Sequence, residues 1–230
     1  MDDLILSSAT IGIVLSLLAY EIGLAVQRKW KRAFLNPLMI AIVLVICFLK
    51  LFHVDYESYN MSAKYLSYLL TPATVCLAIP LYQQLDLLKK NAAAIAGGII
   101  SGVVASLGSI LVMSVLFGLE HEQYVTLLPK SITTAIGMGV SEELGGYVTI
   151  TVAAIIITGV FGNMSAEFIC RFFRIRNPIS KGLAIGTASH AVGTARAMEM
   201  GEIEGAMSSL AIVVCGLCTV VGASIFSYLW

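Results

Sequence analysis

The stretch at 91–118 reads NAAAIAGGIISGVVASLGSILVMSVLFG and contains no Asp, Glu, Lys or Arg. A helix needs about 20 mostly apolar residues to cross a bilayer, and this run exceeds that. Its apolarity is continuous, without the two-residue alternation of a membrane β-barrel strand. Lipid tolerates only helices or closed barrels as spanning structures, so the run reads as a membrane-crossing α-helix. Comparable runs lie at roughly 4–26, 37–54, 147–170 and 205–229. Two weaker apolar stretches, 64–83 and 182–199, carry internal Pro, Gly, Thr or charge, and a short segment at 129–145 is rich in Thr, Gly and Glu.

Composition agrees. Of 230 residues, 58% are hydrophobic and 12% charged, against about 25% charged in an ordinary soluble domain. This excludes a soluble enzyme, a nucleic-acid binder and a disordered scaffold. Lys plus Arg and Asp plus Glu number 14 each, so bulk charge names no partner. The five cysteines scatter through apolar segments and form no disulfide framework. Cys215 and Cys218 make a C-x-x-C inside an apolar run and read as packing residues. The start, Met1-Asp2-Asp3, lacks the basic region of a secretory signal.

Orientation follows from Lys and Arg in short loops, which favour the inside. Arg28, Lys29, Lys31 and Arg32 follow the first run, Lys89 and Lys90 precede 91–118, and Arg171, Arg174, Arg176 and Lys181 follow 147–170. The alternate loops carry Asp55 and Glu57, Glu120 and Glu122, and Glu202 and Glu204. This pattern puts the N-terminus outside and the C-terminus in the cytoplasm. Between Glu120 outside and Arg171 inside, 147–170 already makes the one crossing required, so 129–145 must cross zero or two times. The expected fold is therefore a single all-α membrane domain over 1–230, with about seven transmembrane helices and one re-entrant segment. Segments 37–118 and 147–229 form a three-plus-three inverted repeat, each with an interrupted helix in the middle. In transporters such interruptions mark the substrate site; the competing reading is a plain bundle with kinked helices.

Intramembrane charge is expensive and survives beside a cavity, a partner or an anion. Two cations stand outside the inner loops and span ends: Lys130 and Arg196. Arg196 closes the run GTASHAVGTARA at 186–197, where Thr187, Ser189, His190 and Thr194 offer polar groups among small residues. Broken helices expose N–H groups that favour anions, and a guanidinium matches a carboxylate. The competing reading pairs Arg196 with Glu199 or lets it reach the outer surface. His190 is a candidate proton carrier, against a satisfied packing histidine. Thr71 and Thr74 flank Pro72, eight residues before Pro80, in the first interrupted helix; they are candidate ligand contacts, against ordinary threonine-assisted kinking. Lys130, Ser131, Thr133 and Thr134 form a third cluster, with an outer-surface lysine as the alternative. An ion exchanger would want an acidic residue at mid-membrane; Glu142 and Glu143 are the candidates if the segment reaches deep enough, because Glu167 lies too near the inner end. Ser189 and His190 are adjacent and diverge by about 100° on a helix, so no catalytic triad forms. Metal-ligand spacing and a phosphate-binding loop are absent. No cofactor, metal, nucleic acid or enzymatic activity is expected.

The block GTASHAVGTARA, followed by Glu202-Ile203-Glu204-Gly205-Ala206 and Ser208-Ser209-Leu210-Ala211, resembles the LrgB/CidB family. Asn36-Pro37-Leu38-Met39-Ile40, TPATVCLAIPLYQQ at 71–84 and PKSITTAIGM at 129–138 extend the resemblance, in the family's order, from about 36 to 211. Ala135 stands where the family usually has a second proline. The resemblance implies a multi-pass protein of the bacterial inner membrane, encoded beside a small holin-like protein of the LrgA/CidA type. It also implies one of two roles: antiholin-like modulation of murein hydrolase activity and lysis, or transport of small carboxylates such as pyruvate, glycolate and glycerate.

The expected function is secondary transport of small 2-oxo or 2-hydroxy monocarboxylates, with the antiholin-like regulatory subunit as the alternative. The carboxylate is expected near the crossing of 71–80 and 186–196. Arg196 is its counter-ion, and Thr187, Ser189, Thr194, Thr71, Thr74 and the hydroxyls at 131–134 complete the cage. On this reading Arg196→Ala abolishes uptake. The holin-like protein and a homodimer are the expected protein partners.

Overall fold

Helices form where the apolar runs predict them, and they end where the sequence changes character. The computed structural model describes residues 10–30, 37–76 and 78–230, apart from the side chains of Ser67, Leu70, Thr71 and Thr74. Every regular element among them is helical. Among the described residues four helices are long and apolar enough to cross a membrane: Ile11–Trp30, Ala92–Phe117, Val148–Phe172 and Glu202–Leu229. Pro37–Leu51 is a shorter apolar helix. The chain divides into two compact units, Met1–Cys76 and Leu77–Trp230.

In the first unit α1 (Ile11–Trp30) packs on α2 (Pro37–Leu51). The contact is close at Gly23, where a Cβ would sit 2.5 Å from the Pro37 carbonyl oxygen. α3 (Tyr56–Ala63) returns to the start of α1: the Gly12 N–H donates to Ser62 Oγ at 2.8 Å, and the Ser16 and Tyr59 hydroxyls lie 2.7 Å apart. A 3₁₀ stretch, Lys64–Leu69, leads into α4 (Leu70–Cys76). The weak segment 64–83 is thus a series of short helical pieces, continued in the second unit by α5 (Ala78–Gln83) and α6 (Leu85–Lys90).

The second unit is built on three long helices: α7 (Ala92–Phe117), α10 (Val148–Phe172) and α12 (Glu202–Phe226). Between α7 and α10 lie α8 (His121–Leu127) and α9 (Thr134–Glu143); between α10 and α12 lies α11 (Pro178–Met200). α7 ends at Gly118, which takes the left-handed conformation (φ 61) and lets the Leu119 N–H reach the Ser114 carbonyl. α8 begins with a capping box between Glu120 and Gln123. The core joins Ile99 and Leu107 of α7, Tyr124 of α8, Leu183 of α11, and Met207 and Ala211 of α12.

α8 and α9 are the limbs of one helical hairpin. Its ends meet, since the Tyr147 hydroxyl donates to Glu122 Oε2 at 2.5 Å and the Tyr147 N–H donates to Thr126 Oγ1 at 2.8 Å. Its tip reaches the middle of α7, where the Ser131 and Ser106 hydroxyls lie 3.0 Å apart. The stretch 129–145, read from sequence as re-entrant, forms this tip and the returning limb.

α11 is a second hairpin, entering from the opposite end. Its first limb starts at Asn177, whose side chain accepts from the Ile179 and Ser180 N–H groups, with Pro178 in the first turn. The limb breaks at His190, whose backbone is non-helical (φ 42, ψ −140). Beyond the break the chain turns back. A Cβ on Gly193 would stand 3.2 Å from the Ile185 carbonyl oxygen, an approach that a continuous helix of 1.5 Å rise per residue forbids over eight residues. Ala197 likewise packs with Ile185.

This reversal corrects the expected topology. The sequence count carries 182–199 through the bilayer and puts the C-terminus on the side of Arg171–Lys181. Because α11 doubles back, α12 starts beside Lys181, which lies 3.6 Å from Glu204, and finishes at the far end. There the Trp230 indole donates to the Leu119 carbonyl at 2.8 Å, and the Trp230 carbonyl pairs with the His121 ring. One end of the unit therefore carries Arg171, Arg174, Arg176 and Lys181, and the other carries Glu120, Glu122, Glu142 and Glu143 with the C-terminus. Each of α7 and α10 is followed by a hairpin entering from the end where that helix stops.

Candidate functional site

The two hairpin tips approach a cavity of about 940 Å³ between α7, α10 and the first limb of α11. It runs from Ile175 and Ser180 at the basic end to Lys130 and Ser131 at mid-depth. Small residues make the room: Gly98, Gly102 and Ala105 on α7 and Gly162 on α10 face it. Side-chain hydroxyls supply its polarity, from Ser101, Ser106, Ser131, Thr158, Ser165, Thr187 and Ser189.

Lys130 is the singular group here. Its ammonium donates to Ser131 Oγ at 3.1 Å, and Ser131 in turn pairs with Ser106. Among the described residues no carboxylate lies within ion-pair distance of it. A partly buried, uncompensated cation is costly, and a cavity that admits an anion relieves that cost. The returning limb α9 also starts at this tip, with Thr133 at its cap making no side-chain capping bond. The first N–H groups of α9 are therefore left without helical partners, and helix N-termini favour negative charge.

Of the residues expected in the site, the structure brings Lys130, Ser131, Thr187 and Ser189 to one cavity. Thr187 Oγ1 is buried and has no hydrogen-bond partner among the described residues. Its methyl group abuts Gly102, and Ser189 Oγ abuts Gly162, so the first limb is wedged between two bare glycine faces. His190 and Thr194 lie at the tip of the second hairpin, outside the cavity lining. The His190 Nε2 is 3.0 Å from the Ile155 carbonyl, in a space that Gly159 leaves open. Thr194 donates to the His190 carbonyl and pairs with Ser208 of α12 at 2.7 Å. Thr133 and Thr134 begin α9 beside the lining without joining it. The side chains of Thr71 and Thr74 lie outside the described residues.

Arg196 is placed elsewhere. It sits on the returning limb of α11, 2.6 Å from Glu199 and 2.7 Å from Glu167 of α10. Glu167 also holds Arg171 at 3.1 Å. This network clamps the returning limb to α10 at the basic end. Beside it lies a second cavity of about 620 Å³. Arg174 lines it from an unusual backbone position, φ 55. The Ile175 N–H reaches the Cys170 carbonyl there, the C-terminal cap geometry that usually selects glycine. An L residue in this conformation carries a penalty of about 1–2 kcal/mol.

Sequence reasoning missed Ser106, Asn163 and Ser208. Asn163 donates to the Val192 carbonyl at 2.7 Å just past the break, satisfying backbone that the reversal frees. A polar residue in the middle of a long apolar run was the available sign.

Opposed hairpins between long apolar helices define a multi-pass helical membrane protein with a cavity that carries hydroxyls and one lysine. The LrgB-like family model matches residues 16–229, and the chain belongs to that family. It is similar to the antiholin-like protein LrgB of Bacillus mycoides (strain KBAB4), with 42% identity over 216 residues and 94% of each chain covered. The antiholin-like LrgB proteins of Bacillus cereus (strain B4264) and Bacillus anthracis (strain CDC 684 / NRRL 3495) match with the same identity and coverage. No solved structure matches.

Proposed function

We propose that the chain acts as an antiholin-like membrane protein, and that the physical step beneath this role is movement of a small monocarboxylate between the two hairpins. The relatives' name, antiholin-like protein LrgB, supports the antiholin-like role and says nothing of transport. One geometric observation supports the carboxylate step: Lys130 faces a hydroxyl-lined cavity with no carboxylate partner among the described residues. In this proposal Lys130 takes the counter-ion role first given to Arg196, whose guanidinium is occupied by Glu167 and Glu199. Ser131, Ser106, Thr187 and Ser189 surround the anion. Hairpins entering from opposite ends fit alternating access, with broken helices at the substrate. The basic end faces the cytoplasm by the positive-inside rule, which places the C-terminus outside. The bacterial inner membrane, the small holin-like partner, homodimerisation and the lack of catalytic chemistry complete the proposal.

Uptake of labelled pyruvate, glycolate and lactate into liposomes tests it. Wild type is expected to show saturable uptake. Losing a hydrogen bond to a charged group is worth about 1.5–3 kcal/mol, so Lys130→Gln should raise the half-saturation concentration about 10- to 100-fold, while Arg196→Gln retains uptake. The opposite result, uptake kept without Lys130 and lost without Arg196, returns the anion site to Arg196. Absence of saturable uptake in wild type, alone and with the holin-like protein, leaves the antiholin-like role standing without transport.

A further inference from the structure

The second cavity, at the basic end, holds the clearest unassigned chemistry. Five cationic side chains line it, Arg171, Arg174, Arg176, Lys181 and Arg196, against two carboxylates, Glu167 and Glu199. The carboxylates are spent on Arg196 and Arg171, and Lys181 lies against Glu204. Arg174 and Arg176 have no carboxylate within ion-pair distance among the described residues. They flank Ile175, whose side chain lines this cavity and the deeper one alike, as does Cys170. The two cavities are therefore neighbours along the end of α10. The strained backbone of Arg174 holds a guanidinium in a place where glycine is the relaxed choice.

We propose that this vestibule is a separate oxyanion-capture site, in which Arg174 and Arg176 hold a small carboxylate at the basic end before it moves to Lys130. The inference rests on the carboxylate step of the proposed function. Guanidinium forks bind carboxylates in two-point fashion, and a concave site lined by one sign of charge concentrates counter-ions and speeds their arrival. A lipid phosphate offers the same oxyanion chemistry. The position of this cavity beside the deeper one favours the free carboxylate, and the lipid is made an arm of the test.

The test measures equilibrium binding of labelled pyruvate to the full chain in zwitterionic phosphatidylcholine nanodiscs, at about 0.05 M and about 0.5 M salt, where screening differs strongly. Wild type, Lys130→Gln, Arg174→Gln/Arg176→Gln and the three changes combined are compared. The expected result is that Lys130→Gln keeps a binding component that weakens about 10-fold or more at high salt. The combined variant loses it, and Arg174→Lys/Arg176→Lys in the Lys130→Gln background recovers part of it, which separates lost charge from misfolding. A single salt-insensitive component, lost with Lys130→Gln and unchanged by Arg174→Gln/Arg176→Gln, overturns the vestibule and leaves the proposed function intact. A single salt-sensitive component in wild type, left whole by Lys130→Gln and lost with the arginines, supports the vestibule and removes Lys130 from the proposed site. Absence of binding in every protein overturns both. Repeating the series with phosphatidylglycerol included decides the source: pyruvate binding abolished by that lipid assigns the vestibule to a headgroup and overturns the capture role.

Discussion

Replacing Gly162 by alanine should loosen the second hairpin from α10 and lower the stability of the second unit. A Cβ at this position would lie 1.7 Å from Ser189 Oγ and 2.6 Å from Ser189 Cβ. Rotating the serine moves its oxygen away and leaves its Cβ where it was. Carbon atoms rest about 3.5–4.0 Å apart, so the limb must retreat by about 1 Å. The neighbouring His190–Ile155 contact, 3.0 Å long, then stretches past hydrogen-bonding reach. Overpacking of this kind costs about 1–3 kcal/mol. Alanine also favours helix over glycine by about 1 kcal/mol, so the fair reference is Gly108→Ala, which meets nothing within 4 Å on α7. With a domain of this size moving about 2–4 °C per kcal/mol, the melting temperature of Gly162→Ala in detergent should fall about 5 °C below that of Gly108→Ala. Equal melting of the two variants would refute the tight wedge of α11 against α10, and with it the account of how Ser189 is held at the cavity.

Two further outcomes follow from the ends of the second unit. Glu122 accepts a hydrogen bond from the Tyr147 hydroxyl, and this bond, with the carboxylate's charge, raises the tyrosine pKa above its ordinary value. A group whose folded pKa is raised gives stability that is whole below the unfolded pKa and fades as pH climbs through the folded one. Thermal stability of wild type should therefore decline at alkaline pH more than that of Tyr147→Phe, and parallel pH profiles would exclude the bond. In a chain freed of its five cysteines, single cysteines at Glu120 and Tyr228 should react with an impermeant thiol reagent from one face of a sealed vesicle, and one at Asn177 from the other. Labelling of Tyr228→Cys together with Asn177→Cys would restore a crossing at 182–199.

The long helices were legible because hydropathy alone decides them: α7, α10 and α12 fall on the uncharged or nearly uncharged runs expected at 91–118, 147–170 and 205–229. The reversal at His190 was not. The mostly apolar stretch 182–199 looks the same whether it passes through a bilayer or turns back within it. The deciding feature is a positive φ at a non-glycine residue, which tertiary contacts with Ile155 and Gly159 impose. That one error flipped the expected side of the C-terminus, because every later crossing inherits the parity of those before it. Arg196 stood out in the sequence as a stray cation. Its partner three residues on, Glu199, was visible; Glu167 lies 29 residues earlier on another helix and was not linked to it. Lys130 stood out as a stray cation too, but only the structure shows that its ammonium has a hydroxyl beside it and, among the described residues, no acid.

The depth of Lys130 also shapes how a membrane voltage falls across the unit. Once filled by water and counter-ions, the cavity would carry the electrical potential of the basic end inward as far as the Lys130–Ser131 tip. The field would then be concentrated in the half beyond, across the first hairpin and the helices packed on it. Moving one elementary charge through 100 mV is worth about 2.3 kcal/mol. Under the proposed carboxylate step, an anion travelling from the basic end to Lys130 would spend little of that, and its passage past the first hairpin would carry nearly all the current.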